Sequence, residues 1–381
     1  MELPNAVEAW SVNSFELLKR LLNDPRVSKD PNQHWPAFVN GEIPQEWPFF
    51  IWVAVRNMFT AYGEDHMRLR KLVAKAFTPR RTAAMRPRVE EITGALLDAV
   101  EAAPAGEPVD LRSAFAHPLP IEVICGLMGV PEKSWDALRR TVDSVFNAAA
   151  EPEEVAATQV ALYGLLTDLV SSKRAAPGDD MTTDLIEARS EDDGSALSEA
   201  ELLDTLLLTI SAGFETTVNL LDNAITALLT HPEQLALVRA GKATWDDVID
   251  ETLRWRAPVP HLPLRYAVED IELDGGITIR KGEAILASYG AAGRDPELHG
   301  DTAADFDITR PTRRDHLAFG YGAHYCLGVS LARLEASVAL PALFERFPDL
   351  TLAVPAEKLE PLGTMLANGH RVLPALTTPA V

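Results

Sequence analysis

Between Ser198 and His231 the chain commits to one long helix, and that helix limits the folds open to it. Ser198 stands three residues before Glu201, the spacing of a capping box, and His231-Pro232 supplies the stop. The 32 residues between them span roughly 48 Å at 1.5 Å per residue, enough to cross a whole domain. The stretch LLDTLLLTISAGF is apolar on more than one face, so the helix is packed on several sides, in the middle of a helical mass. Gly213, Glu215, Thr216 and Thr217 lie inside it, and none suits the interior of a buried helix. Such a local inconsistency is expected at a functional site.

The same recurrence of apolar residues at three- and four-residue steps marks 14–23, 64–77, 83–102, 152–174, 244–256 and 326–346. Strand-like alternation is confined chiefly to 261–289, where turns at Asp274-Gly275-Gly276 and Lys281-Gly282 separate two or three strands. A mainly α fold with small β-sheets is expected. No Gly/Ser-rich linker, low-complexity tract or fixed-period repeat divides the 381 residues, so residues 1–381 read as a single domain. Pro341 falls inside the last helical stretch and predicts a kink or break near 337–341.

With 47% hydrophobic and 24% charged residues, the chain has the balance of an ordinary globular protein. Its 35 basic and 56 acidic residues leave a net charge of -21, which argues against nucleic acid and against an anionic membrane surface as partners. MELPNAVEAW has no basic n-region and no apolar run, and no later apolar run is long enough to span a bilayer, which places the protein in the cytoplasm. Two cysteines, Cys125 and Cys326, are too few for a disulfide framework or a structural zinc site. Cys125, in PIEVICGLMGVP, has no His or Asp beside it and reads as a small buried hydrophobe. His117, His231, His261, His299 and His370 lie in different segments, without metal-site spacing.

Cys326 is different, because it follows Gly320 and Gly322 and opens a strongly periodic helix. Backbone N–H groups at a helix N-terminus stabilise a thiolate and lower its pKa. The string FGYGAHYCLG resembles the haem-binding loop of cytochromes P450. Glycines let such a loop turn under a porphyrin, and amides near Leu327 and Gly328 stand where they can donate to the sulfur. The resemblance implies that Cys326 is the thiolate ligand of a haem iron, that Phe319, Gly320 and Gly328 belong to the haem-binding loop, and that His324 is a basic partner of a propionate.

Other segments resemble the same family in the same order. Ala212-Gly213-Phe214-Glu215-Thr216-Thr217 is similar to its oxygen-activation segment. A Gly followed by an acid and an alcohol loosens the helix there, leaving a groove for dioxygen at Ala212 and Gly213 and a proton relay in Glu215 and Thr216. His66 and Arg70 of HMRLRKLVAKAFTPRR, with Arg265 of PLRYAVEDIEL, match residues that bind haem propionates. Glu251, Arg254 and Arg310 resemble a buried charge network that braces the haem loop. AVEAWSVNSFELLKRLLNDPRVSKD resembles what family members carry after an initial helix and strand, so those two elements are expected to be missing.

The resemblance implies a cytochrome P450 fold, a triangular helical domain around a buried haem b with a long central helix. It also implies a monomeric monooxygenase that uses O2 to hydroxylate an apolar small molecule such as a macrolide, steroid or terpenoid. No dinucleotide fingerprint or flavin-like region is present, so electrons must come from a ferredoxin and an NAD(P)H-dependent ferredoxin reductase. Residues 66–88 hold Arg68, Arg70, Lys71, Lys75, Arg80, Arg81, Arg86 and Arg88 with no acid, a surface for an acidic ferredoxin. Trp35, Trp47, Phe49, Phe50 and Trp52 crowd the segment where the family has its substrate-covering loop, although such clusters also build cores. Two other readings keep the haem. One is a peroxide-driven peroxygenase, against which Glu215-Thr216 speaks; the other is a non-enzymatic haem-based gas sensor, which needs no proton relay.

Overall fold

Ser198 caps the long helix as its spacing predicts: its hydroxyl accepts the Glu201 amide at 3.3 Å, and the Glu201 carboxylate accepts the Ser198 amide at 2.8 Å. The computed structural model describes residues 1–104, 106–135, 137–138, 152–190 and 194–378. Its principal helices are α1 Phe15–Leu22, α2 Gly63–Ala74, α3 Arg86–Glu101, α4 Pro118–Met128, α5 Pro152–Ala175, α6 Glu199–Thr230, α7 Trp245–Trp255 and α8 Val329–Arg346. Central α6 packs against α4, α5, α7 and α8. From Phe214 to Leu228 every residue of α6 except Thr216 is buried, the many-sided packing that its composition requires.

The strands are β1 Glu2–Leu3, β2 Val7–Val12, β3 Val27–Ser28, β4 Val109–Asp110, β5 Leu262–Ala267, β6 Ile271–Leu273, β7 Ile277–Ile279, β8 Ala284–Ala287, β9 Thr351–Leu352 and β10 Pro374–Leu376. A five-stranded sheet runs β1-β2-β8-β5-β3, a three-stranded one β4-β10-β9, and β6 and β7 form a separate hairpin. The segment 261–289 thus holds four strands rather than two or three, because Ile271–Ile279 folds back on itself through Gly275 at φ 78°. An N-terminal strand, not expected, is also present. In β2 the residues VEAWSV point alternately inward and outward, and the strand pairs in parallel with β8 from Ala9↔Ala284 to Val12↔Ala287.

The break expected at Pro341 does not occur, for α8 runs from Val329 to Arg346 with Pro341 inside it. An interior proline costs about 3 kcal/mol. Leu340, Leu343 and Phe344 are all buried on the same helix, and burying each contributes about 1.5–3 kcal/mol, so packing outweighs the local penalty.

Glu251 and Arg254 form the buried pair their spacing predicts, with Arg254 Nε and Nη2 donating to Glu251 at 2.7 and 2.6 Å. Arg254 Nη1 also donates to the carbonyls of Gly293 and Ala303, and Arg310 reaches Glu251 at 3.4 Å and the Thr302 carbonyl at 2.6 Å. The network therefore ties α7 to the 293–310 loop. Contact with the segment just before the Cys326 loop comes instead from Asp250, which binds Arg314 at 3.1 Å, Arg333 on α8, and His316 at 3.8 Å. Burial raises the Asp250 carboxyl, but hydrogen bonds from His316 and Arg333 outweigh it and hold the group below its ordinary value.

Candidate functional site

The loop before α8 closes where the Cys326 amide donates to the Phe319 carbonyl at 3.0 Å. Gly320 and Gly322 take left-handed conformations, φ 73° and 71°. A Cβ on Gly322 would come within 2.8 Å of the Leu22 carbonyl oxygen, so the close turn requires glycine. Gly328 is the N-cap residue of α8. The Cys326 sulfur accepts hydrogen bonds from the amides of Gly328 and Val329, one position beyond the expected Leu327 and Gly328. Its side chain is accessible to solvent although protein encloses it, so it lines a recess rather than the outer surface.

The loop does not by itself favour a charged Cys326. Burial pushes the thiol above its ordinary value, and the two amides with the Arg70 guanidinium offset only part of that. A helix N-terminus alone does not make this sulfur an anion; coordination to a metal, which displaces the thiol proton outright, would. Cys125 is buried as expected, and burial pushes its thiol up to about 12.

His66, Arg70, Arg265 and His324, far apart in sequence, converge beside this recess, and Lys29 joins them. The rings of His66 and His324 are 4.0 Å apart. Arg70 Nη2 donates to the Tyr325 carbonyl at 2.5 Å, and Arg265 Nη2 to the Tyr289 hydroxyl at 3.3 Å. Lys29 Nζ, His66 Nε2 and Arg265 Nη1 are buried with no hydrogen-bond partner among the described residues. Burial, then Arg70, lowers His66 to about 4. Burial, followed by Lys29, His66, Arg265 and Arg70, drives His324 far below its ordinary value. Three such nitrogens left in low dielectric without an acceptor are costly, and an anionic ligand with several oxygens removes the cost. The set fits a haem: a cysteine sulfur supported by two amides, and donors suited to two propionates.

On α6, Ala212 is exposed and Gly213 and Thr216 half-buried, although Ser211, Phe214 and Thr217 are buried. One narrow strip of a buried helix is thus bare, at the positions where a dioxygen groove is expected. A Cβ on Gly213 would approach Ile124 of α4 at 3.2 Å, and Thr216 Oγ1 donates to the Ala212 carbonyl at 2.7 Å. Glu215 is not hydrogen-bonded to Thr216. Its Oε1 accepts from Arg112 Nη2 at 2.9 Å and from Asn219 Nδ2 at 3.1 Å. Arg112 Nη1 also binds Asp222 at 3.0 Å, and Asp222 holds the His370 ring at 2.6 Å. Burial raises the Glu215 carboxyl above its ordinary value against the opposing pull of Arg112 and Asn219.

A family model for cytochrome P450 matches residues 244–366. A 2-hydroxy-5-methyl-1-naphthoate 7-hydroxylase of Streptomyces carzinostaticus is 44% identical over 378 residues, covering 98% of this chain and 90% of that protein. The chain belongs to the cytochrome P450 family. This P450 is also 41% identical to the 6-deoxyerythronolide B hydroxylase of Saccharopolyspora erythraea, over 96% of its own length and 90% of the relative's. The solved structure of CYP154A1 from Streptomyces coelicolor matches it with a TM-score of 0.90 and 55% identity, covering 98% of this chain and 92% of that one. The fold is that of a P450, the enzyme a P450 monooxygenase and its cofactor haem.

In this P450 the N-terminal aromatic segment divides. Trp35 stacks on Tyr266 at 5.1 Å, and Trp35, Trp47 and Phe49 are buried in a core cluster. Phe50 instead lines a cavity of about 670 Å³ together with Ile51, Leu69 of α2 and Leu207 of α6. The cavity adjoins both helices that carry the site, but Cys326 and Thr216 are not among its lining residues. The basic stretch is largely engaged within the chain: Arg68 pairs with Asp65 and Glu201, Arg81 with Asp184, Arg86 with Glu90 and Arg88 with Glu91. Lys75 Nζ donates to the Arg189 carbonyl at 2.9 Å, and Lys71, Lys75 and Arg80 all keep exposed side chains. Among the described residues no helix is long and apolar enough to cross a membrane. Lys29, Arg112 and Asp250 were not anticipated as parts of this machinery.

Proposed function

We propose that this P450 hydroxylates an apolar small molecule such as a macrolide, steroid or terpenoid in the cytoplasm, with haem b, O2 and electrons from a ferredoxin and its NAD(P)H-dependent reductase. The observation that carries the reading is the Cys326 loop, where one sulfur accepts two backbone amides beside a cluster of unpartnered donors. Bound haem supplies dioxygen activation and oxygen insertion. The protein residues do the rest. His66, Arg70, Arg265 and His324 would hold the haem propionates, and Phe319, Gly320 and Gly328 shape the loop that presents Cys326. Ala212 and Gly213 leave the bare strip of α6 against which small ligands lie.

Glu215 and Thr216 deliver protons to that strip. Burial keeps the Glu215 proton bound at a higher pH than an exposed carboxyl would, which suits a donor, and Thr216 is the alcohol on the bare face. Because Glu215 is held by Arg112, delivery requires that contact to loosen. The same contact favours a second reading, a peroxygenase using hydrogen peroxide, which needs no such relay. The α2 surface, with exposed Met67 and Lys71 and with Arg70 bonded to Tyr325 of the cysteine loop, is the docking face for an acidic ferredoxin. The two mechanisms separate in one experiment. Product formed with ferredoxin, reductase and NADPH, but not with peroxide alone, supports the monooxygenase; the reverse supports the peroxygenase.

A further inference from the structure

We propose that Lys29 is an anchoring residue of the haem, its ammonium group donating to a propionate alongside Arg265. The inference rests on the reading of the Cys326 loop as a haem site. In the antiparallel pairing of β3 with β5, Val27 lies opposite Ala267 and Ser28 opposite Tyr266, and the same register carried one residue past the end of β3 sets Lys29 against Arg265, with which it interacts electrostatically. Two basic side chains thus meet at the end of β3, each 3% exposed. Like charges in that position repel, and burial deprives them of water.

Among the described residues no carboxylate pairs with either of them. Lys29 Nζ and one terminal nitrogen of Arg265 have no hydrogen-bond partner among the described residues. The Lys29 ammonium lies 3.7 Å from the centre of the Phe59 ring, a cation–π contact that recovers only part of the lost hydration and satisfies none of its directed donors. The carboxylate next in sequence is turned elsewhere: Asp30 accepts from the Asn32 amide at 2.8 Å and from Gln33 Nε2 at 2.7 Å. Burial and Arg265 together push the lysine towards losing its proton, which would still leave an amine without a partner. Arg265 in turn reaches the cysteine loop, for it donates to the Tyr289 hydroxyl at 3.3 Å and that hydroxyl lies 3.6 Å from where a Cβ on Gly320 would stand, so the pair borders the Cys326 recess. A propionate between Lys29 and Arg265 removes the repulsion and fills both donors.

The test is the rate of haem loss from the holoprotein to an excess of haem-free myoglobin, with the reduced carbon monoxide spectrum recorded on each sample. Lys29→Met is expected to release haem about tenfold faster, the loss of one charge-assisted hydrogen bond, and to shift the reduction potential negative as a nearby positive charge is removed. Lys29→Arg is expected to restore both to near wild type, and Lys29→Gln, a milder change should Met disturb folding, to fall between. All should keep the thiolate-type spectrum. Wild-type release and potential in Lys29→Met, or equal loss in Lys29→Arg and Lys29→Met, would overturn the assignment while leaving the haem site intact. A wild-type protein without the thiolate spectrum would overturn both.

Discussion

Arg112 holds Glu215 within the buried side of the central helix, Nη2 to Oε1 at 2.9 Å, while the neighbouring Thr216 donates back to the Ala212 carbonyl at 2.7 Å. Acid and alcohol are adjacent in sequence yet belong to different hydrogen-bond systems. Replacing Arg112 by Leu leaves Glu215 and Asp222 buried without their cation and should destabilise the holoprotein by about 3–5 kcal/mol in denaturant unfolding. Glu215→Gln, which keeps an acceptor for Arg112, should cost about 1–2 kcal/mol. Equal losses would mean that the network is not charge-balanced through Arg112.

The sign of the Glu215 shift gives a pH dependence. Its carboxyl titrates above the ordinary value of 4.5, so the native state holds this proton where the unfolded chain has released it. Stability from this group is therefore fully present at low pH and lost as pH rises from about that ordinary value through the raised one. Glu215→Gln should flatten that part of the stability profile, as read by unfolding at a series of pH values. An unchanged profile would count against the shift.

Thr216→Ala should lower the product formed per NADPH consumed by about tenfold or more, since a positioned proton donor contributes at least that much. Peroxide-supported turnover should change little. If both routes fall together, Thr216 shapes the pocket rather than moving a proton.

Charge reversal tests the docking face. Reversing Arg68 would also break its contacts with Asp65 and Glu201; Lys71 and Arg80 are both exposed. Lys71→Glu with Arg80→Glu should slow ferredoxin-supported turnover several-fold at low salt, with the difference shrinking as salt screens the contact. A rate independent of both the substitutions and salt would place the partner elsewhere.

Pro341→Ala restores a hydrogen bond to the Ser337 carbonyl inside α8, against a smaller loss from a more flexible unfolded chain. The expected gain is about 1–2 kcal/mol, read as a higher melting temperature. A loss would show that the proline contributes packing that alanine does not replace.

Most helices were legible because their apolar spacing and end signals agree, as the Ser198 capping box and the His231-Pro232 stop show for α6. The cysteine loop was legible because its glycines do work that other residues cannot, as Gly322 against Leu22 illustrates. Strand β2 escaped because six residues of alternation carry little weight until β8, more than 270 residues away, pairs with them. Lys29 escaped for the same reason, since its meaning lies in the β3–β5 pairing that brings it to Arg265. Arg112 was silent too: Glu215 reads as half of an Asp/Glu-Thr pair in sequence, and only the turn before α4 reveals the guanidinium that claims it. Local pattern shows an element's existence, but long-range pairing decides what a charge inside it meets.

The central claim is that the Cys326 sulfur would hold the iron of a haem. The reduced protein under carbon monoxide should show the long-wavelength Soret band of thiolate-ligated haem, and Cys326→Ser should lose it while keeping the fold measured by circular dichroism. A wild-type protein without that band, or a Cys326→Ser protein that retains it, would contradict the account.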